Sequence, residues 1–297
     1  MPLRWHNSCR PSGVIKVNVV CVGDCGIDRY LPSNESRVGG ITANFARNAR
    51  QQFPEDDIIH IVSCVGTDSG ADLVLSVLPH SGIECHISQL EGSTSLQEIR
   101  IQTDGEKEFV HYDQGVLENF CVDREQRRLI ETADVLVAPV YQQILGFFDR
   151  LMAIGPAGAA CVDFADFREH PEFDLLDRYI ERIDIAFFGL TLDDKQIIDR
   201  LARRASDRDK LFVVTLGADG SRAFQGSKQF DCPAISVERV VDTTGAGDAY
   251  AAGFMSAYSH GASIDHSMQR GASVAANNVK HAGAFFDSRL PSKQHSS

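Results

Sequence analysis

Apolar residues in this chain fall into short unbroken runs separated by longer amphipathic stretches. The run "VNVVCVGD" (residues 17–24) is β-branched over most of its length and stops at Gly-Asp, and similar runs recur at 58–66, 133–140, 159–164, 183–188 and 211–217. A strand without polar alternation is one covered on both faces. About 15 to 25 residues of helical spacing or composition separate most of these runs, so the pattern predicts βαβ units and a mostly parallel sheet between two helical layers. In such sheets ligands bind beyond the carboxyl ends of the strands, which singles out Asp24, Gly66, Asp163 and Gly217.

One stretch breaks the rhythm. "TSLQEIRIQTDGEKEFVHYDQG" (94–115) alternates in character on both sides of Asp104-Gly105, a dipeptide suited to a tight hairpin turn. It predicts an antiparallel hairpin inserted into the α/β frame, forming with residues 30–38 a small β lid, or a surface for a second copy of the chain. From Gly245 onward, Ala- and Gly-rich helical spacing predicts two helices. Residues 1–16 are expected to form a flexible leader, 17–288 one domain and 289–297 a frayed tail, with no internal linker or repeat.

Composition narrows the function. The chain has 297 residues, 43% hydrophobic and 24% charged, with 41 acidic against 29 basic side chains and a formal net charge of −12. That balance argues against nucleic acid and anionic membrane as partners. No apolar run approaches the roughly 18 residues of a membrane span or forms a signal core, so a cytoplasmic location is expected. Eight cysteines lack any CxxC pair, and four lie in strand-like runs. They are expected to be reduced core residues rather than disulfides or zinc ligands.

The most informative segment is "VVDTTGAGDAYAAG" (240–253). Two glycines around a small residue let backbone N–H groups converge at the start of an Ala-rich helix, a site for an anion such as a transferring phosphoryl group. A carboxylate there would repel phosphate, so Asp248 is better suited to accepting a proton from an attacking hydroxyl. Taken alone, the segment would more readily be read as a glycine-rich turn with Asp as a helix cap.

"DTTGAGD" resembles the C-terminal signature of the ribokinase (PfkB) family of carbohydrate kinases, and "GGITANFA" (39–46), about 200 residues earlier, is similar to its N-terminal signature. The resemblance runs from about residue 17 to 284. It implies a ribokinase-like three-layer sandwich with a small β lid, and ATP-dependent phosphorylation of a sugar hydroxyl. By position it implies Asp248 as catalytic base and Gly245, Ala246 and Gly247 as the anion hole. Asp24, Asp28, Gly39, Gly40 and Asn44 would contact the sugar. Thr215, Gly217 and Gly220 in "TLGADGS", with Thr243 and Ala282, would line the nucleotide side, and Asp242 and Thr244 would hold a monovalent cation, usually potassium. The family commonly has Asn-x-x-Glu after the strand at 183–188 to organise magnesium. Here Leu192 and Lys195 take those positions, leaving Asp193 and Asp194 as the nearest carboxylates.

Within the family, "GDCGID", "HYDQGVLENF" and "VDFAD" look most like the branch containing fructoselysine 6-kinase. Asp163 and Asp166 would then meet an amine on the substrate. A nucleoside kinase, with Phe109 and Tyr112 stacking on a base, and a catalytically inactive sugar or nucleotide sensor are the alternatives. No GxxxxGK[ST] occurs, and no GxGxxG follows the first strand, which disfavours P-loop and Rossmann readings.

Overall fold

The computed structural model describes residues 16–102, 107–168 and 173–284. The expected leader (apart from Lys16), the tail, Cys9 and the hairpin turn at Asp104-Gly105 lie outside the described residues. Strands β1 (Asn18–Val22), β2 (Gly26–Leu31) and β3 (Glu35–Gly39) precede helix α1 (Ile41–Gln52). Strand β4 (Ile58–Val65) leads to α2 (Ser69–Val77), then to β5 (Glu84–Gln89), β6 (Leu96–Ile101) and β7 (Lys107–Asp113). Helix α3 (Arg124–Thr132), β8 (Val135–Pro139), α4 (Leu145–Ile154), β9 (Ala159–Asp166), α5 (Phe173–Tyr179), β10 (Ile185–Gly189) and α6 (Lys195–Arg208) alternate through the middle. Strands β11 (Leu211–Thr215), β12 (Ser221–Gln225) and β13 (Lys228–Cys232) precede α7 (Ala246–Tyr258) and α8 (Ile264–Asn278).

The main sheet has nine strands in the order β13-β12-β11-β10-β9-β8-β1-β4-β5, parallel from β11 to β5. Strands β12 and β13 add antiparallel at one edge. All six strands expected from the apolar runs are present; β5, β12 and β13 have no such run and escape that reading. Successive residues of one strand serve different layers. Val19 and Cys21 pack with α1, α2, α7 and α8, whereas Val20 and Val22 lie in the opposite core that includes residues of α3 and α4. Burial on both faces is what removed polar alternation from these strands. Five of the described cysteines (Cys21, Cys25, Cys64, Cys161, Cys232) are buried and unoxidised, as expected; Cys85 is half-buried and Cys121 exposed.

A second sheet, β3-β2-β6-β7, stands apart from the first. Its strands β6 and β7 are the expected hairpin arms, paired antiparallel. The earlier part differs from expectation. Strand β2 begins at Gly26 rather than near Tyr30, so Asp28 rides on the lid and does not belong to a loop after β1. Polar residues inside "GIDRYL" hid this strand, because one face of the small sheet is open and the pattern is too short to show alternation.

The small sheet is rooted by side-chain hydrogen bonds. Asp68 caps α2 through the Ala71 N–H and also accepts the Thr94 N–H at 2.9 Å and the Thr94 hydroxyl at 2.6 Å. The Thr94 hydroxyl in turn accepts the Gly66 N–H at 3.0 Å. A Cβ on Gly66 would sit 2.2 Å from the Gly92 carbonyl oxygen, so this crossing tolerates no side chain. Asp68→Ala removes a helix cap and two hydrogen bonds together. It should cost about 2–3 kcal/mol in urea unfolding, and Asp68→Asn should cost less because its amide oxygen can still accept.

Candidate active site

The two sheets face each other across an open cavity of ≈ 850 Å³. Its floor is the carboxyl end of the parallel strands, its roof the small sheet, and one end the N-terminus of α7. Most of the expected site residues converge there. Asp24, Asp28, Gly40, Asn44, Asp163, Asp166, Thr215, Gly217, Thr243, Thr244, Gly245, Ala246, Gly247 and Asp248 all line it.

Asp248 lies in the first turn of α7 and is 8% exposed. Its Oδ2 accepts a hydrogen bond from Asn44 Nδ2 at 3.0 Å. Burial pushes its carboxyl well above the usual range, the Asp163 and Asp24 charges push the same way, and Asn44 and Lys107 oppose them. At the start of α7, Gly245 has φ +73° and a Cβ there would lie 2.6 Å from Ala284, so glycine is required. The Gly247 and Asp248 N–H groups have no partner among the described residues, as expected in the first turn of a helix. Ala246 departs from expectation: its N–H closes a turn onto the Thr243 carbonyl at 3.2 Å. The open amides at this helix start are therefore those of Gly247 and Asp248.

Asn44 is thereby a partner of Asp248 rather than a residue turned wholly toward substrate. Asp24 also has a structural task. Its carboxylate accepts the Ile41 N–H at 2.9 Å, the Thr42 N–H at 3.0 Å and the Thr42 hydroxyl at 3.1 Å. It thus caps α1, whose own N-cap position is Gly40 at φ +99°. Asp28 lies over Gly39, where a Cβ would fall 2.1 Å from its Cγ. Gly39 therefore makes room for a carboxylate instead of touching the cavity itself.

Two carboxylates are poised near neutrality. Burial, helped by the charges of Asp24 and Asp242 and opposed by Lys107, pushes Asp28 up to about 7. Burial, opposed by the Ala165 N–H donated to Asp163 at 2.7 Å, leaves Asp163 at about 6. Asp166 behaves oppositely. Burial disfavours its charge, but the Arg168 guanidinium, bonded at 2.9 and 2.5 Å, outweighs it and holds the carboxyl low. Asp166 thus pairs with Arg168 while lining the cavity together with Asp28 and Asp163.

Other expectations also change. Asp193 and Asp194 do not line the cavity. Asp193 is exposed, and Asp194 Oδ2 accepts the Thr191 N–H at 2.8 Å and the Thr191 hydroxyl at 2.7 Å, forming a turn before α6. They are not placed to hold magnesium in the cleft. Among the described residues no group of three His, Cys, Asp or Glu side chains could cage a metal ion. Gly220 and Ala282 also lie outside the lining. A Cβ on Gly220 would be 2.2 Å from the Cys232 carbonyl oxygen, so it serves the β11–β12 corner, and Ala282 is exposed. Asp242 accepts the Thr244 N–H on one oxygen and the Gly283 N–H on the other, each at 2.8 Å. Thr244 Oγ1 beside it is buried without a hydrogen-bond partner.

Lys107, Tyr141, Gln97 and Arg168 also line the cavity and were not singled out from sequence. Lone basic, aromatic or amide residues on strands carry no spacing signal; only the fold brings them together.

A ribokinase-like sandwich with a lid, a buried carboxylate and open amides at one helix start defines a sugar-kinase type of fold and site. The family model described as "pfkB family carbohydrate kinase" matches residues 185–291. The chain is 26% identical over 265 residues to the fructoselysine 6-kinase of Shigella flexneri, covering 89% of this chain and 98% of that protein. The adenosine kinase of Sinorhizobium meliloti superposes with a TM-score of 0.76 at 20% identity, covering 91% of this chain and 96% of its own. Arabidopsis thaliana ribokinase complexed with ribose and ATP gives 0.73 at 19% identity, covering 91% and 95%. The chain is thus similar to the pfkB family of carbohydrate kinases over residues 185–291 and to named sugar kinases over most of its length. Kinases of that family use ATP and a divalent metal. No helix among the described residues is long and apolar enough to cross a membrane.

The raised carboxyls fix the sign of a pH effect. Asp28 and Asp163 keep protons in the folded chain at pH values where the unfolded chain has lost them, so their contribution to stability is present at low pH and lost as pH rises through about 6 and about 7. Asp28→Asn should therefore be more stable than the parent at pH 8, by about 1–3 kcal/mol. The gain should vanish near pH 4 in paired denaturation curves.

Proposed function

We propose that this chain transfers the γ-phosphoryl group of ATP to a hydroxyl of a sugar derivative, with Asp248 as general base. The observation that carries the reading is a buried carboxylate, fixed by Asn44, one residue from unpaired amides at the start of α7. An anion held by the Gly247 and Asp248 amides would keep the phosphoryl group within reach of a hydroxyl facing Asp248. Burial raises the proton affinity of Asp248, which suits a base that must take a proton from an alcohol. Thr215, Gly217 and Thr243, which also line the cavity, would form the nucleotide side. Asp24, Asp28 and Asp163 face the acceptor side.

The acceptor we favour is a fructosamine, a ketose carrying an amine. Support comes from the likeness to fructoselysine 6-kinase and from Asp28 and Asp163, two buried carboxyls in the cavity lining whose charged form a substrate cation would favour. The nucleoside reading is less well supported. Tyr112 is hydrogen-bonded to Tyr141 and meets it edge-on at 5.5 Å, and Phe109 already carries the Lys107 ammonium at 4.9 Å.

Magnesium would be carried mainly by nucleotide phosphates and water, because the described residues present no cage for it. A monovalent cation such as potassium would find suitable oxygens at Asp242 and the unpartnered Thr244 Oγ1. Residues 17–288 would act as one kinase unit in the cytoplasm. The exposed Phe109 and Val110 on β7 give the lid an apolar surface for a second copy of the chain.

The test is ATP consumption with a panel of fructosamines, ketohexoses and nucleosides. Asp248→Asn should leave ATP binding unchanged by calorimetry and lower kcat by about two to four orders of magnitude. Near-normal turnover by that variant would remove Asp248 from the chemistry. Preference for a neutral ketose or nucleoside over every fructosamine would overturn the amine assignment.

A further inference from the structure

Three residues stand side by side under the lid. Asp28 on β2 is the register partner of Gln97 on β6, and Gln97 is the register partner of Tyr112 on β7. Register partners on neighbouring strands share one face of a sheet, and all three line the cavity.

Gln97 has hydrogen bonds whose direction is fixed by its partners. Its Nε2 lies 2.9 Å from the Glu98 carbonyl oxygen and 2.8 Å from the His111 carbonyl oxygen. A carbonyl oxygen can only accept, so each contact takes one of the two amide protons. The flipped amide would set its own oxygen against both carbonyls and lose both bonds. What Gln97 has left is Oε1, to which no described residue donates. Asp28 beside it is 5% exposed, and no described residue donates a hydrogen bond to its carboxyl either. A buried carboxylate without a donor is costly, and the side on which a donor can arrive is the cavity.

We propose that Gln97 is a specificity-determining residue: its Oε1 and the Asp28 carboxylate form a pair of acceptors that takes the two N–H groups of a protonated secondary amine on the sugar derivative. This deepens the fructosamine reading above and rests on it. A fructosamine nitrogen bonded to two carbons carries two protons once charged, one for each oxygen. A hydroxyl at that point satisfies one of the two, and an ether oxygen meets both with lone pairs alone.

The test compares three compounds: N-propyl fructosamine, its N-methylated tertiary counterpart, and the ketohexose carrying a propyl ether at the same carbon. Each is titrated by calorimetry into Asp248→Asn and into Asp248→Asn/Gln97→Met. Working at pH 8 stays above the value of about 7 to which burial pushes Asp28. Gln97→Met keeps the side-chain length and removes the acceptor. It should weaken the secondary amine about tenfold to a hundredfold, the usual worth of a hydrogen bond to a charged group. The tertiary amine has one N–H, which Asp28 takes, so it should bind the Gln97 form more weakly than the secondary amine does and lose less than about threefold more in Gln97→Met. The ether should bind Gln97→Met at least as well as the Gln97 form. An equal loss for all three compounds would reduce Gln97 to a strut of the lid and overturn the proposal, as would an unchanged Kd for the secondary amine. Failure of either fructosamine to bind the Gln97 form would overturn the substrate reading together with the proposal, whereas binding without these differences overturns the proposal alone. Reading Kd in Asp248→Asn keeps all of these outcomes independent of the base assignment.

Discussion

The hydrogen bond from Asn44 to Asp248 spans 204 residues of sequence and joins the starts of α1 and α7. Much of the site follows from it. A buried carboxylate at a helix start is stabilised by that helix's dipole and by a donor, and costs free energy through desolvation. One amide donor partly offsets the burial, so the net effect is a raised proton affinity. Asn44 can supply that donor only if α1 begins where it does. Asp24 ensures this by giving the first N–H groups of α1 a carboxylate that Gly40 cannot provide. The first acidic residue after β1 thus positions, through one helix, the donor to the last acidic residue of the glycine-rich segment.

The same geometry explains where glycine is unavoidable. At Gly39 the missing Cβ leaves space for the Asp28 carboxylate, and at Gly245 it lets the segment at Ala284 close over the start of α7. Gly247 is different. Nothing lies within 4 Å of its missing Cβ, so packing does not require a glycine, and the free approach to its N–H is what the residue provides. Two glycines separated by one residue therefore have separate causes, one steric and one concerned with access.

The parallel sheet was legible because both its faces are buried, which leaves continuous β-branched runs in the sequence. The lid was legible as a hairpin but not at Gly26, since a two-sided and partly exposed strand has no unbroken run. Site residues were legible where a motif fixed them to the backbone, as with Asp248 and Asn44, though their mutual bond was not. Asp193 and Asp194 failed because distance along the chain from a missing motif does not say which way a turn faces. Asp166 lines the cavity, but its bond to Arg168 two residues away was not legible, because sequence alone does not tell a local ion pair from two charges pointing apart. Tyr112 and Tyr141 meet across 29 residues and two sheets, and no periodicity encodes that.

An acidic cavity is a poor place for a polyanion, and the arrangement resolves this by separating the two ends. Asp24, Asp28 and Asp163 gather under and on the lid, while the amide dipoles of α7, with Gly217 and Thr215, lie toward the other end. Asp248 stands at the boundary, where the Asp163 and Asp24 charges raise its affinity for a proton. Lys107 on the lid acts on Asp28, Asp163 and Asp248 together, favouring the charged form of each. Moving this one ammonium with β7 would change three carboxyls in the same direction. The one ammonium on the lid thus faces the acids of the cavity and favours the ionised form of Asp248 that a proton acceptor must be.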